Sequence, residues 1–185
     1  TGARWSGDGA LAGSPSNGVL RAGPVFQTTP STAVVSYLGY QAAQAITVVN
    51  VNNDDFGSYA GDGLDDAWQV QNFGLENPNG KSSADADGDG ISNRDEYLAG
   101  TSPTDPNSRL RLSIATVPGH PTWRNLTFSP RLPDRNYRVY YRNSVNGDNN
   151  ILSASSVTDN GLERTVTDKA ATNAVRFYRV RVTLP

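Results

Sequence analysis

Between Asp85 and Glu96 the chain sets acidic or amide side chains at near-alternate positions: Asp85-Ala86-Asp87-Gly88-Asp89-Gly90-Ile91-Ser92-Asn93-Arg94-Asp95-Glu96. Carboxylates crowded into so short a turn repel one another unless a cation stands among them. Calcium is a hard ion that takes about six to eight oxygens in a flexible shell, and a twelve-residue loop supplies them from positions 1, 3, 5, 7, 9 and 12, with glycine at 6 for the sharp turn. Counted from Asp85, those positions are Asp85, Asp87, Asp89, Ile91 through its carbonyl, Asn93 and Glu96, and Gly90 stands at 6. The pattern therefore assigns a calcium site to these six residues, with Glu96 as the bidentate end. Magnesium is disfavoured because it demands a tighter octahedron.

The flanks extend the pattern. Gly61-Asp62-Gly63-Leu64-Asp65-Asp66-Ala67-Trp68 and Asn72-Phe73-Gly74 precede the loop, and Glu96-Tyr97-Leu98-Ala99-Gly100-Thr101-Ser102-Pro103-Thr104-Asp105-Pro106 closes it. The loop is similar to an EF-hand calcium loop. Residues 54–106 as a whole resemble a thrombospondin type 3 repeat of the kind found in large bacterial secreted and surface proteins. The resemblance implies calcium and an extracytoplasmic setting, and it implies no activity. Ser102 departs from it, standing where the family carries Asp in a Gly-Thr-Asp-Pro run.

The first half of the repeat is weaker. Aligning Asp62-Gly63-Leu64 with Asp89-Gly90-Ile91 puts Ser58 at position 1, Ala60 at 3, Asp66 at 9 and Gln69 at 12. A second calcium would then use Asp62, the Leu64 carbonyl and Asp66, with Asp54 or Asp55 folding back to replace the missing anions. The alternative is that Asp62 and Asp66 cap and charge the first turn of a helix.

Charge is divided along the chain. Residues 54–107 hold twelve acids and two bases, whereas residues 108–185 hold twelve bases and five acids. The basic residues are spread over strands rather than clustered, and the acidic middle repels phosphate, so a nucleic-acid partner is not expected. The basic part is expected to attract an acidic neighbour instead, in the same chain or in the next subunit. There is no Cys, so neither disulfides nor thiol chemistry is available, and calcium takes over the cross-linking. With no Met anywhere, Thr1 reads as a processed or truncated start. No apolar run approaches the ~18 residues of a membrane span.

The expected fold class is mainly β, in three parts. Residues 1–53 form an N-terminal strand-rich segment with strands at Val19–Gln27, Thr32–Tyr37 and Ala45–Val51, punctuated by Gly13-Ser14-Pro15 and Thr29-Pro30-Ser31. Residues 54–106 form a central EF-hand-like two-helix calcium module. One helix carries Leu64, Ala67, Trp68 and Gln71 and stops at Gly74; the other is capped by Ser92 with Asp95 and stops at Gly100. Trp68 is expected to anchor a core. Residues 107–185 form a C-terminal Ig-like or fibronectin type III-like β-sandwich. Its strands are expected at Arg109–Thr116, Thr122–Phe128, Tyr137–Asn143, Ile151–Ala154, Glu163–Thr167 and Ala174–Leu184, with turns at Asn146-Gly147 and Asn160-Gly161.

Catalytic residues are scarce. The single histidine, His120, lies in an expected turn between Gly119 and Pro121, and no nucleophile context surrounds it. The paired carboxylates are those that calcium explains. No enzymatic role is expected. Arg and Tyr alternate on the C-terminal strands, as Tyr137, Arg138, Tyr140, Tyr141, Arg142, Tyr178, Arg179 and Arg181. The pattern suits either stacked cross-strand pairs or an acidic or carbohydrate ligand. The expected function is that of a calcium-stabilised structural protein of the cell surface or extracellular matrix. Its partners would be further copies of the chain, joined head to tail by strand addition from residues 1–53 into a filament. The alternative is a C-terminal spacer or carbohydrate-binding accessory region of a larger secreted enzyme, with a surface polysaccharide as partner.

Overall fold

A computed structural model describes residues 3–8, 10–11, 19–153, 156–172 and 175–185. The turn expected at Gly13-Ser14-Pro15, and the ends of two expected strands at Ala154 and Ala174, lie outside the described residues. The structure is mainly β; the described residues form three antiparallel sheets and two short α-helices. It divides into two compact units, Thr1–Ala84 and Asp85–Pro185. No helix among the described residues is long and apolar enough to cross a membrane.

The first unit opens with a three-stranded sheet of order β1-β2-β3, built from β1 (Arg4–Gly7), β2 (Thr29–Tyr37) and β3 (Tyr40–Val48). Leu38 and Gly39 both have positive φ, 49° and 83°, and make the two-residue turn of the β2–β3 hairpin. Leu11, Val25 and Val48 form a small core, with Leu20 and Ile46 packed against it. The strand expected at Val19–Gln27 is absent. Pro24 has no N–H for a ladder, and the segment delivers Val25 to the core as irregular chain instead. Arg4–Gly7 takes the place in the sheet, opposite Ala33–Ser36. Helix α1 (Asp66–Phe73) follows, capped by Asp65, whose carboxylate accepts the Trp68 N–H at 3.0 Å. The anchor of this region is Tyr59 rather than Trp68. Tyr59 is 1% exposed, and its hydroxyl donates to the Gly74 carbonyl at 2.7 Å and accepts from the Asn77 N–H at 3.0 Å. Trp68 is half-buried, edge-on to Phe73.

The second unit begins with the acidic loop and helix α2 (Asn93–Ala99), ended by Gly100 in the left-handed region at φ 74°. Seven strands follow: β4 (Arg111–Val117), β5 (His120–Ser129), β6 (Asn136–Arg142), β7 (Asn150–Ile151), β8 (Ser156–Asn160), β9 (Glu163–Asp168) and β10 (Phe177–Thr183). They form a sheet of order β4-β5-β9-β8 and another of order β10-β6-β7. The core holds Leu126 and Phe128 from β5, Val166 from β9 and Val139 from β6, so both sheets contribute. Burying each such side chain contributes about 1.5–3 kcal/mol. Strand β8 escapes the sequence reading because all five of its residues are exposed and no alternation marks them. His120 begins β5 rather than sitting in a turn, its ring stacked on Trp123 at 3.9 Å.

A buried ion pair locks the end of β9. Asp168, 1% exposed, accepts from Arg176 Nη1 at 2.6 Å, the Tyr178 hydroxyl at 2.7 Å and the Ala170 N–H at 2.8 Å. Burial pushes its carboxyl up, but the three hydrogen bonds and the Arg176 charge outweigh burial and hold it below the usual carboxylate range.

Candidate metal centre

The loop from Asp85 to Glu96 shapes itself by carboxylate-to-backbone bonds. Asp85 Oδ1 accepts from the N–H groups of Gly88 at 2.8 Å and Asp89 at 3.2 Å, and its Oδ2 accepts from Gly90 at 2.9 Å. Asp87 Oδ1 accepts from the Asp89 N–H at 3.1 Å, and Asp89 Oδ1 from the Ile91 N–H at 2.8 Å. Gly90 turns the chain at φ 90°, a conformation costly for a residue with a Cβ. Oxygens of Asp85, Asp87 and Asp89 are thereby brought within 4.8 Å of one another.

Helix α2 follows and carries Asn93 and Glu96; Glu96 stands outside the group of oxygens that lie within 4.8 Å of one another. The Ser92 hydroxyl accepts the Asp95 N–H at 3.2 Å and so caps the helix, as its spacing predicts. Residues three apart on a helix share a face, and here the shared face is polar: Asn93 and Glu96 are both fully buried. One oxygen of Glu96 accepts from the Thr101 hydroxyl at 3.4 Å. Its other oxygen, Oε2, is buried with no hydrogen-bond partner, and so is Oδ2 of both Asp87 and Asp89. Arg109 Nε stands 3.3 Å from Asp89 Oδ2, close enough for an ion pair though not aligned to donate. Burial, then the charges of Asp87, Asp89 and Asp85, push the Glu96 carboxyl up to about 7.

A buried carboxylate oxygen without a donor is costly, and three of them within one acidic loop make a donor set of hard oxygens. That set fits a calcium-like cation.

The first unit contains a second, related arrangement. Asp54 Oδ1 accepts from the N–H groups of Gly61 at 2.7 Å and Asp62 at 3.1 Å, and its Oδ2 accepts from Gly63 at 2.9 Å. Asp85 makes the same three-amide bonding pattern in its own loop. Asp62 Oδ1 accepts from the Leu64 N–H at 3.1 Å, as Asp89 does from Ile91. Asp65 caps α1 as Ser92 caps α2, and Asp66 and Gln69 are fully buried at the positions of Asn93 and Glu96. Asp54 therefore takes the first place that the sequence alignment gave to Ser58. Four extra residues, looped out between Asp54 and Asp62, conceal it from a fixed-spacing search.

The two arrangements differ at the last position. Gln69 Nε2 donates to Asp62 Oδ2 at 3.0 Å and to the Gly80 carbonyl at 2.8 Å, so the amide already satisfies part of the acidic cluster. Asp66 Oδ2 accepts from the Asp55 and Phe56 N–H groups, while Asp66 Oδ1, Asp55 Oδ1 and Gln69 Oε1 are buried without hydrogen-bond partners. Burial, against the two backbone bonds, raises the Asp66 carboxyl above its usual range.

No protein-family model matches the chain, and neither a curated protein nor a solved structure matches it.

Proposed function

We propose that this chain is a calcium-stabilised structural region of an extracellular or cell-surface protein. The ion is held by Asp85, Asp87, Asp89, the Ile91 carbonyl, Asn93 and Glu96, in an EF-hand-like loop of a thrombospondin type 3-like module. The observation that carries this reading is the set of buried carboxylate oxygens without donors: Asp87 Oδ2, Asp89 Oδ2 and Glu96 Oε2. Bound calcium neutralises them and ties the loop to α2, which acts as a cross-link in a chain without cysteine. The weaker second site takes Asp54, Asp62, the Leu64 carbonyl and Asp66, with Asp55 beside them.

The β-domain reads as an Ig-like sandwich. Its β4-β5-β9-β8 order follows the A-B-E-D sheet of that fold, and β10 pairs β6 as strand F pairs C in the opposite sheet, while among the described residues no strand takes the place of G. A scaffold of this kind supports a structural role. Strands β1, β2 and β3 pair with one another within the chain, so strand addition would use the edge of β3, a strand without charged residues that among the described residues bonds only to β2. Filament assembly through that edge is part of the proposal.

Titration calorimetry tests the metal site. Calcium should bind the parent and magnesium should bind far more weakly. Glu96→Gln removes the bidentate oxygen pair and should weaken calcium more than any other single change. Parent-like affinity in that variant would refute the ligand set.

A further inference from the structure

We propose that the second unit carries an anion-binding cavity for an acidic glycan, a sugar chain bearing uronate carboxylates, on the arginines around β6 and β10. This inference does not rest on calcium binding.

The cavity has a volume of about 630 Å³ and is lined by Arg131, Arg135, Arg138, Arg164 and Arg181 together with Tyr140. That size lies within the range of small-ligand sites, roughly 300–1,000 Å³. Among the described residues, two carboxylates pair with these five guanidiniums. Asp159 bonds to Arg131 at 3.0 Å and to Arg164 at 2.7 Å, and Asp134 pairs with Arg135. Arg138 and Arg181 stand directly opposite each other in the β6–β10 register. Like charges in that position are destabilising, yet neither arginine pairs with a carboxylate. In addition, Nε of Arg131 and of Arg135 is buried with no hydrogen-bond acceptor, and the Arg135 side chain is only 6% exposed. An opposed cation pair without a carboxylate partner, standing at one cavity, describes a site completed by an anion.

The chemistry of the lining selects the anion. A guanidinium presents a planar fork that matches a carboxylate through two parallel bonds. The aromatic rings at the cavity are engaged: Arg179 lies over Tyr140 at 5.3 Å, and Arg164 over Tyr137 at 5.6 Å. Base stacking, which single-stranded nucleic acid requires of its platforms, therefore has no free aromatic pair here. Asn136 and Thr183 also line the cavity. With the Tyr140 hydroxyl they offer the neutral donors and acceptors that sugar hydroxyls use. Carboxylate forks beside neutral polar groups suit a uronate ring.

The test is titration of the whole chain, at near-physiological salt and saturating calcium, with a galacturonate trimer, a neutral galactose trimer, a glutamate trimer and a short oligothymidylate. The galacturonate trimer should bind, with affinity falling as salt rises, and the others should bind at least about tenfold more weakly. Arg138→Gln and Arg181→Gln should each weaken the galacturonate trimer about tenfold, the loss expected when a hydrogen bond to a charged group is removed. Arg124→Gln, outside both the cavity and the acidic loop, should leave binding unchanged. Melting curves matched to the parent keep the fold out of the comparison, and shifts of the arginine Nε–H resonances in the parent locate the site directly. No binding, equal binding of any comparison ligand, or parent-like affinity in both cavity variants would overturn the proposal.

Discussion

Stripped of cation, this protein should lose stability as the pH rises from about 4.5 to about 7. The cause is Glu96, wholly buried and pushed from 4.5 to about 7 by burial and by the charges of Asp87, Asp89 and Asp85. Across that window the folded chain keeps a proton on Glu96 that the unfolded chain has already released. The state that binds more protons is disfavoured as pH rises, so folding weakens. At ~1.36 kcal/mol per pH unit, the gap from 4.5 to about 7 amounts to about 3 kcal/mol. Calcium reverses the sign, because it requires the ionised carboxylate. Stabilisation by the ion should therefore grow between pH 5 and 7.5, and binding near pH 6 should release close to one proton. The assay is urea unfolding in metal-free buffer across this range, followed by the fluorescence of Trp123 with Trp5 and Trp68 replaced by Phe. In Glu96→Gln the slope should vanish. A metal-free stability that is flat or rises with pH, or a slope that survives in Glu96→Gln, would refute the reasoning.

Other consequences are as direct. Gln69→Glu installs the missing anion at the last position of the first arrangement, so calorimetry should show tighter binding at a second calcium site; unchanged stoichiometry and affinity would exclude a site there. Asp168→Ala strands the Arg176 guanidinium and should cost about 3–5 kcal/mol in denaturant unfolding. Because Asp168 is held below the usual carboxylate range, its stabilisation is present above about pH 4 and is lost as the pH falls through its folded value; Asp168→Asn should flatten that acid limb. Gly100→Ala should destabilise by about 1–3 kcal/mol, because its φ is 74° and a Cβ there would meet Leu132 at 2.6 Å; an unchanged melting temperature would show that the α2 terminus tolerates rearrangement.

What the sequence alone determined was local. The acidic loop, the Ser92 cap and the Gly100 stop are fixed by groups within a few residues of one another, so spacing along the chain was enough to read them. The same holds for the Asn160-Gly161 turn between β8 and β9 and for the alternation Tyr137-Arg138-Val139, which places Val139 in the core. Tertiary structure decided what depends on distant neighbours. The sequence names Asp54 or Asp55 as a replacement for the missing anions; that Asp54 takes the first place of the loop is decided by the intervening residues looping out. Tyr59 became the anchor instead of Trp68 because it reaches Gly74 and Asn77, both far along the chain. Arg4–Gly7 entered a sheet that Val19–Gln27 did not, since partner availability and a missing Pro24 N–H outweigh apolar content. The sequence marks Arg138 and Arg181 within the Arg/Tyr alternation, but they are forty-three positions apart and become neighbours at one cavity only through the β6–β10 register.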